Sequence, residues 1–171
     1  VVSVSSGAHT YLSEKDLGLF FEKDETTGQM KFNLNYCNLE VFKKYTSGMK
    51  AYSFTKLCNV WQMYKWHRLY NASTGVTFNT VHPGCVHTEM NRNVPFPLRQ
   101  ILELFFTFYF LTPEQGARTT VHVAASPQVV NKSVSGQYFE ACKPTQTHRF
   151  AQMEEYQDML YNQCKPFAIA E

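Results

Sequence analysis

Tyr52 and Lys56 are the first residues whose types and spacing could do chemistry. They stand four residues apart in the stretch AYSFTKLCNV, Ala51–Val60, and in a helix two side chains at that spacing leave the same face. A phenol is a poor acid or base near neutral pH, but a nearby ammonium stabilises the phenolate and lets a tyrosine exchange protons. An ordinary amphipathic helix can also carry such a pair, so the flanking chain has to decide.

A serine at the end of a strand is the second candidate. The β-branched run Val1–Ser5 predicts a short buried strand, and Ser5-Ser6-Gly7 predicts a turn at its carboxyl end. Ligands of open α/β sheets bind at that edge, where a serine hydroxyl could hydrogen-bond a substrate oxygen. The alternative is a turn serine that caps its own backbone.

The elements that follow would bring both candidates to one edge. Apolar spacing predicts a helix over Met49–Tyr70, and Val76–Val81 is predicted as a second strand that leads into the loop His82–Thr88, HPGCVHT. A strand, a helix and a strand in this order make a parallel crossover. The Pro-Gly loop is therefore expected at the same edge as the first turn.

Two long segments surround these elements. The polar, charged stretch 10–48 is predicted as an irregular insertion loop over the ligand edge, with some local order because it is longer than most structureless loops. The stretch 89–112 is predicted as a substrate lid. Its apolar run Leu104–Leu111 is too short to span a bilayer, which takes roughly 20 residues, so we expect a core or lid helix, with shallow membrane association as the alternative.

The C-terminal part continues the alternation of helix and strand. Thr112 as N-cap and Pro113 in the first turn predict the start of a helix. Ser135–Glu140 is predicted as a third strand, and Phe150–Gln163 as a polar helix within the tail 147–171.

Composition narrows the class of protein. The chain has 171 residues, 44% of them hydrophobic, which is enough for one domain with a sizeable core. A net charge of +2 and scattered basic residues argue against a nucleic-acid partner. Five cysteines without a CxxC motif indicate reduced thiols rather than disulfides or a zinc site, hence a cytoplasmic or cytosol-facing, membrane-associated protein.

Four motifs together resemble the C-terminal half of the short-chain dehydrogenase/reductase family. They are the strand VVSVSS, the Tyr-x-x-x-Lys motif YSFTK, the strand and loop VTFNTVHPGCVHT, and the strand SGQYF. The residues of these motifs are most similar to those of the retinol-dehydrogenase-like branch, which includes the WW domain-containing oxidoreductase. The resemblance implies an α/β fold, the C-terminal half of a doubly wound parallel-sheet (Rossmann-type) domain.

The resemblance also implies roles for individual residues. Tyr52 would be the general acid/base, Lys56 would promote its ionisation and bind the nicotinamide ribose, and Ser6 would orient the substrate oxygen, with Ser5 as the alternative serine. The cofactor would be NAD or NADP. Its nicotinamide end would be held, beside Tyr52 and Lys56, by Pro83, Gly84, Val86 and Thr88.

The chain departs from the family pattern in two ways. Ser6 and Tyr52 are 46 positions apart, wider than in compact members. No G-x-G-x-x-G motif occurs, although such a turn places a helix N-terminus on the pyrophosphate, and the chain opens in mid-strand. We therefore expect a fragment without the N-terminal nucleotide-binding half, which binds dinucleotide poorly and is inactive alone.

The expected function is an NAD(P)-dependent oxidoreductase that interconverts a hydroxyl and a carbonyl. A lipophilic substrate such as a retinoid, a steroid or a lipid aldehyde would suit the aromatic residues of the predicted lid, and two copies could pair as a homodimer. These aromatic residues are Phe105, Phe106, Phe108 and Phe110.

Two other classes of function stay open at this point. The first is a non-enzymatic interaction or regulatory protein on a truncated dehydrogenase fold, which the missing nucleotide motif favours. The second is a metal hydrolase that uses His9, His82 and His87, whose spacing matches no established ligand motif. No metal is expected.

Overall fold

The computed structural model describes residues 1–28, 30–33, 48–86, 100 and 110–168. Short strands alternate with helices along the chain. In chain order the elements are β1 (Val2–Val4), a 3-10 helix (Gly7–Tyr11), α1 (Glu14–Phe20), β2 (Phe21–Lys23), β3 (Met30–Phe32), α2 (Gly48–Trp66) with its continuation in a π-helical turn (His67–Asn71) and a short helical segment (Ala72–Thr74), β4 (Asn79–His82), α3 (Pro113–Ala125), α4 (Pro127–Val130), β5 (Gln137–Glu140), β6 (Lys143–Pro144), a second 3-10 helix (Arg149–Gln152) and α5 (Glu154–Ala168).

Three parallel strands form the centre of the fold. The sheet has the order β1-β4-β5-β6, in which only the short β6 runs antiparallel to its neighbour. Val4 lies opposite Val81, and Val81 lies opposite Phe139, so the carboxyl ends of the three parallel strands meet at one edge. The predicted α/β fold with a parallel sheet is confirmed.

Helices pack on both faces of this sheet. Helix α2 lies between β1 and β4 in the chain and packs with α5, whereas α3 lies between β4 and β5. Successive strand side chains point to opposite faces, and the two cores follow this rule. Tyr138 joins the core on the α2 side, and its neighbour Phe139 packs with Val81 and Val123 on the α3 side.

Aromatic packing holds α2 in place. The Trp61 side chain is fully buried, and its Nε1–H donates to the carbonyl of Phe150 at 2.8 Å. The rings of Phe20 and Phe54 stack with centroids 3.8 Å apart. Burial of a side chain of this size stabilises the fold by roughly 1.5–3 kcal/mol, so these contacts fix α2 against α1 and the second 3-10 helix.

The segment 10–48, predicted as an irregular loop, contains regular structure within its described residues. Ser13 and Asp16 form a capping box that starts α1, and the hairpin β2–β3 follows. Lys50 of α2 and the Ser13 hydroxyl hydrogen-bond Asp16 and lower the pKa of its carboxyl to about 2. The charged residues of this helix concealed its short apolar face, which consists of Leu17 and Phe20.

Several boundaries differ from the sequence prediction. Helix α2 passes at Trp66 into a π-helical turn, His67–Asn71, and β4 begins at Asn79 rather than Val76. Helix α5 begins at Glu154 rather than at position 150, because the second 3-10 helix occupies the preceding residues.

Most of the predicted lid, 89–112, lies outside the described residues. In the part of the chain that the structure describes, no helix combines the length and the apolar character needed to cross a bilayer.

Candidate functional site

The carbonyl of Val4 connects the end of β1 to the middle of α2. Lys56 Nζ lies 3.4 Å from this oxygen, and Asn59 Nδ2 donates to it at 3.1 Å. In the reverse direction, the Ser5 hydroxyl donates to the carbonyl of Lys56 at 2.7 Å. These three hydrogen bonds bring the helical turn that carries Lys56 to the carboxyl end of the first parallel strand.

The two candidate serines have different partners. Ser5 is buried, and its hydroxyl proton is engaged with the carbonyl of Lys56. Ser6 caps the first 3-10 helix, and its Oγ accepts a hydrogen bond from the amide of Ala8 at 3.2 Å. A hydroxyl has one donor and two acceptor sites, so this cap occupies an acceptor site of Ser6 Oγ and does not use its proton.

Tyr52 lies beside Lys56 on the surface of α2. Its side chain is 46% exposed, and Lys56 Nζ lies 5.5 Å from the centroid of the phenol ring. The structure therefore brings Lys56 into contact with both Tyr52 and the end of β1, two residues before Ser6. Asn59 completes the same helical face at the i, i+4, i+7 spacing, a periodicity that is also visible in the sequence.

The loop after β4 lies against the loop after β1. A Cβ atom at Gly7 would come within 3.2 Å of His82 Nε2, so a larger residue at position 7 would press against the His82 ring. Beyond His82, Pro83 leads to Gly84, which turns the chain with φ of 86°. The predicted residues Pro83 and Gly84 thus lie at the same sheet edge as Ser6.

Val86 and Thr88 are the last two residues predicted to bind the cofactor, and the structure describes only Val86. Val86 forms an isolated parallel bridge with Leu111, and its side chain fills the space beside Gly116 of α3, where a Cβ would come within 2.4 Å of Cγ2. This packing leaves the backbone of Val86 as the part that could meet a ligand. Thr88 lies outside the described residues.

The histidines near this edge are held in their neutral form. Burial lowers the pKa of His9 below its ordinary value, despite a hydrogen bond to the Ser6 carbonyl. Burial also lowers the pKa of His82, while Glu140 opposes the shift, its Oε1 lying 3.8 Å from Nε2. Lys56 therefore supplies the positive charge beside Tyr52, because both imidazoles are neutral at pH 7.

The alternative of a metal hydrolase finds no ligand set in the described part of the chain. There, no group of three or more His, Cys, Asp or Glu side chains is arranged to hold a metal ion. Of the three histidines considered for such a site, His87 lies outside the described residues.

Comparison with known proteins shows which proteins the chain is similar to. No family model matches the sequence. The chain is 34% identical to human (Homo sapiens) retinol dehydrogenase 14 over 113 residues, which are 65% of this chain and 32% of that protein. It is 34% identical to mouse (Mus musculus) retinol dehydrogenase 11 over 110 residues, or 64% of this chain and 33% of that protein.

A plant enzyme extends the same relationship. The chain is 32% identical to chloroplastic protochlorophyllide reductase of Marchantia paleacea over 96 residues, 54% of this chain and 20% of that protein. All of these homologues are oxidoreductases of the short-chain dehydrogenase/reductase family, which confirms the predicted relationship to this family and to its retinol-dehydrogenase-like branch. The chain spans about a third of the length of the retinol dehydrogenases that it matches.

The contact between His82 and Glu140 generates a first prediction. The substitution Glu140→Gln should lower the pKa of His82 further, because it removes the negative charge that favours the imidazolium. The pKa is measured by NMR as the pH dependence of the His82 Cε1–H resonance. Glu114→Gln, an exposed carboxylate on α3, is the control and should leave this resonance unchanged. A higher pKa of His82 in Glu140→Gln would contradict the prediction.

Proposed function

We propose that this chain carries the proton-transfer part of an NAD(P)-dependent oxidoreductase site that interconverts a hydroxyl and a carbonyl. One observation carries the proposal: the Val4 carbonyl joins the Tyr52–Lys56 turn of α2 to the strand end that presents Ser6. An acid/base, a cation and a hydroxyl donor at one edge of a parallel sheet are the groups that such a reaction needs from the protein.

Each side chain has a definite task in this proposal. The Ser6 hydroxyl donates a hydrogen bond to the substrate oxygen, and Tyr52 gives that oxygen a proton on reduction or removes one on oxidation. Lys56 has three N–H donors. One donor points to Val4, and the others serve the phenol and a ribose hydroxyl. The exposure of Tyr52 gives its hydroxyl access to a substrate from solvent.

The residues at the sheet edge suit the nicotinamide end of a dinucleotide. Pro83 and Gly84 follow β4 directly, and the Val86 side chain packs towards α3, so backbone N–H and C=O groups of this loop are the ones available to a carboxamide. The bound nicotinamide would supply or accept the hydride.

The pyrophosphate end has no equivalent motif in the 171 residues, which contain no G-x-G-x-x-G turn. We propose that turnover requires this additional nucleotide-binding part and that the chain by itself is inactive. The retinol dehydrogenases that it matches are about three times as long as the matched segment.

We further propose a lipophilic alcohol or aldehyde as substrate. The names of two relatives specify retinol, and the sequence between positions 104 and 111 is rich in phenylalanine, as a protein with an apolar substrate would allow. All-trans-retinal and decanal, each with NADH and with NADPH, are the probes that test this class.

Substitution of the acid/base tests the core of the proposal. In the active enzyme, Tyr52→Phe should lower kcat at least ~100-fold, because general acid–base catalysis contributes about that much. The dissociation constant of the cofactor, measured by fluorescence, should stay nearly unchanged. Tyr11→Phe changes a tyrosine that is 73% exposed in the first 3-10 helix and serves as the control. Undiminished turnover in Tyr52→Phe would rule out the assigned role and favour a non-enzymatic function.

The two serines form a matched pair for a second test. Ser6→Ala should reduce kcat roughly 10-fold or more, because the hydrogen bond to the reacting oxygen is lost. Ser5→Ala should mainly lower the free energy of unfolding, by about 1 kcal/mol, and the Tm with it, because it removes the hydrogen bond to the Lys56 carbonyl. Both kcat and Tm are measured for each variant. The reverse pattern would assign the substrate contact to Ser5.

Cofactor binding to the 171-residue chain tests the proposal that these residues lack the pyrophosphate-binding part of the site. A titration of the chain with NADH and NADPH, followed by nicotinamide fluorescence, should show no saturable change at micromolar concentrations, because the pyrophosphate lacks a glycine-rich turn. Human retinol dehydrogenase 14 in the same titration is the positive control. Saturable micromolar binding would show that these residues hold the whole dinucleotide.

A further inference from the structure

His9 lies directly behind the candidate serine and contacts its carbonyl twice. His9 Nδ1 lies 2.6 Å from the Ser6 carbonyl oxygen, and the backbone amide of His9 donates to the same oxygen at 3.2 Å. A carbonyl oxygen only accepts, so the hydrogen of the ring must reside on Nδ1. This contact defines the tautomer of His9.

The double contact fixes the peptide unit that follows Ser6. Ser6 is extended, with φ −153° and ψ 150°, and the direction of its carbonyl sets ψ. The same backbone geometry returns the amide of Ala8 to the Ser6 hydroxyl at 3.2 Å. A clamp on the carbonyl therefore also fixes the direction in which the Ser6 hydroxyl can donate.

Burial makes the imidazole a rigid support for this clamp. The His9 side chain is 1% exposed, and its ring meets Tyr138 of β5 edge to face, with centroids 5.0 Å apart and an interplanar angle of 62°. The first 3-10 helix is thus held against the sheet through a ring whose polar contact is to Ser6.

The second ring nitrogen shows that packing alone does not explain a histidine here. His9 Nε2 is buried and has no hydrogen-bond partner among the described residues. A buried polar atom without a partner destabilises the folded state, and a leucine or phenylalanine would fill the space without that cost. The Nδ1–H bond to the Ser6 carbonyl is the interaction that offsets this cost.

We propose that His9 is the positioning residue for Ser6: its Nδ1–H holds the Ser6 carbonyl and thereby aims the Ser6 hydroxyl at the substrate oxygen. This inference rests on the proposed function, since it needs Ser6 to act on a substrate. His9 itself contacts neither substrate nor cofactor in this role.

The neutral state of His9 matches the role. Burial is the main cause that lowers its pKa, His148 and His82 add to the shift, and the Ser6 carbonyl and Glu140 oppose it. Tyr138, whose own pKa is raised by burial, faces the ring as a neutral phenol. A single proton on Nδ1 therefore persists through neutral pH, and the Nε2 lone pair stays unprotonated.

Three variants of His9 separate positioning from packing. His9→Asn places an amide N–H near the position of Nδ1, His9→Gln places it near that of Nε2, and His9→Leu has no donor. In the active enzyme, assayed with all-trans-retinal and NADPH or NADH, His9→Gln and His9→Leu should lose roughly 10-fold or more in kcat with little change in the KM for cofactor, because small misplacements of reacting groups are costly. His9→Asn should retain most of the turnover.

Two further measurements keep this test separate from that of the proposed function. Long-range ¹H–¹⁵N NMR of the 171-residue chain at pH 7 should show His9 protonated on Nδ1 alone. In the Ser6→Ala background, His9→Leu should have no additional effect on kcat, because His9 acts through Ser6. A ring protonated on Nε2, or equal turnover in all three His9 variants, would overturn the positioning role of His9 and leave the proposed function unaffected. Full turnover in Ser6→Ala would overturn the role of Ser6, and the inference with it.

Discussion

The hydrogen bonds around the Val4 carbonyl are the constraint on which the candidate site depends. A strand end and a helix surface are separate rigid bodies, and a site built from both needs a fixed distance between them. Lys56 and Asn59 donate to Val4, and Ser5 donates back to the carbonyl of Lys56. Because donors and acceptors run in both directions, neither element can slide along the other without losing at least one hydrogen bond.

Buried polar side chains occur on the sheet and on the elements that pack against it. Four buried polar atoms have no hydrogen-bond partner among the described residues, and each costs about 1–3 kcal/mol; they are His9 Nε2, Ser53 Oγ, Thr80 Oγ1 and Tyr138 Oη. Thr80 lies opposite Tyr138 in the sheet, and Ser53 follows Tyr52 in the chain. A few such atoms are ordinary in folded proteins, and His9 Nε2 belongs to the ring that contacts the Ser6 carbonyl.

Local signals in the sequence predicted much of the fold, whereas long-range contacts escaped prediction. Thr112 and Pro113 marked the start of α3 because a cap and its first turn are contiguous in the chain. The relation between Tyr52 and Lys56 followed from helical period alone. His9 and Asn59 could not be assigned in the same way, because their proposed roles depend on contacts with Ser6 and Val4 that only the folded backbone creates. The π-helical turn after α2 likewise has no signature in residue type.

The choice of lysine at position 56 follows from the number of contacts it must serve. An arginine presents its donors in a rigid planar fork, which would commit two of them in one direction. A lysine ammonium is compact and has three donors around one nitrogen, so it can bond the Val4 carbonyl and still lie over the phenol ring, 5.5 Å from its centroid. The anchoring bond to the strand also reduces the freedom of a long side chain. The same ammonium therefore links the sheet mechanically to α2 and supplies the positive charge that the proposed proton transfer by Tyr52 requires.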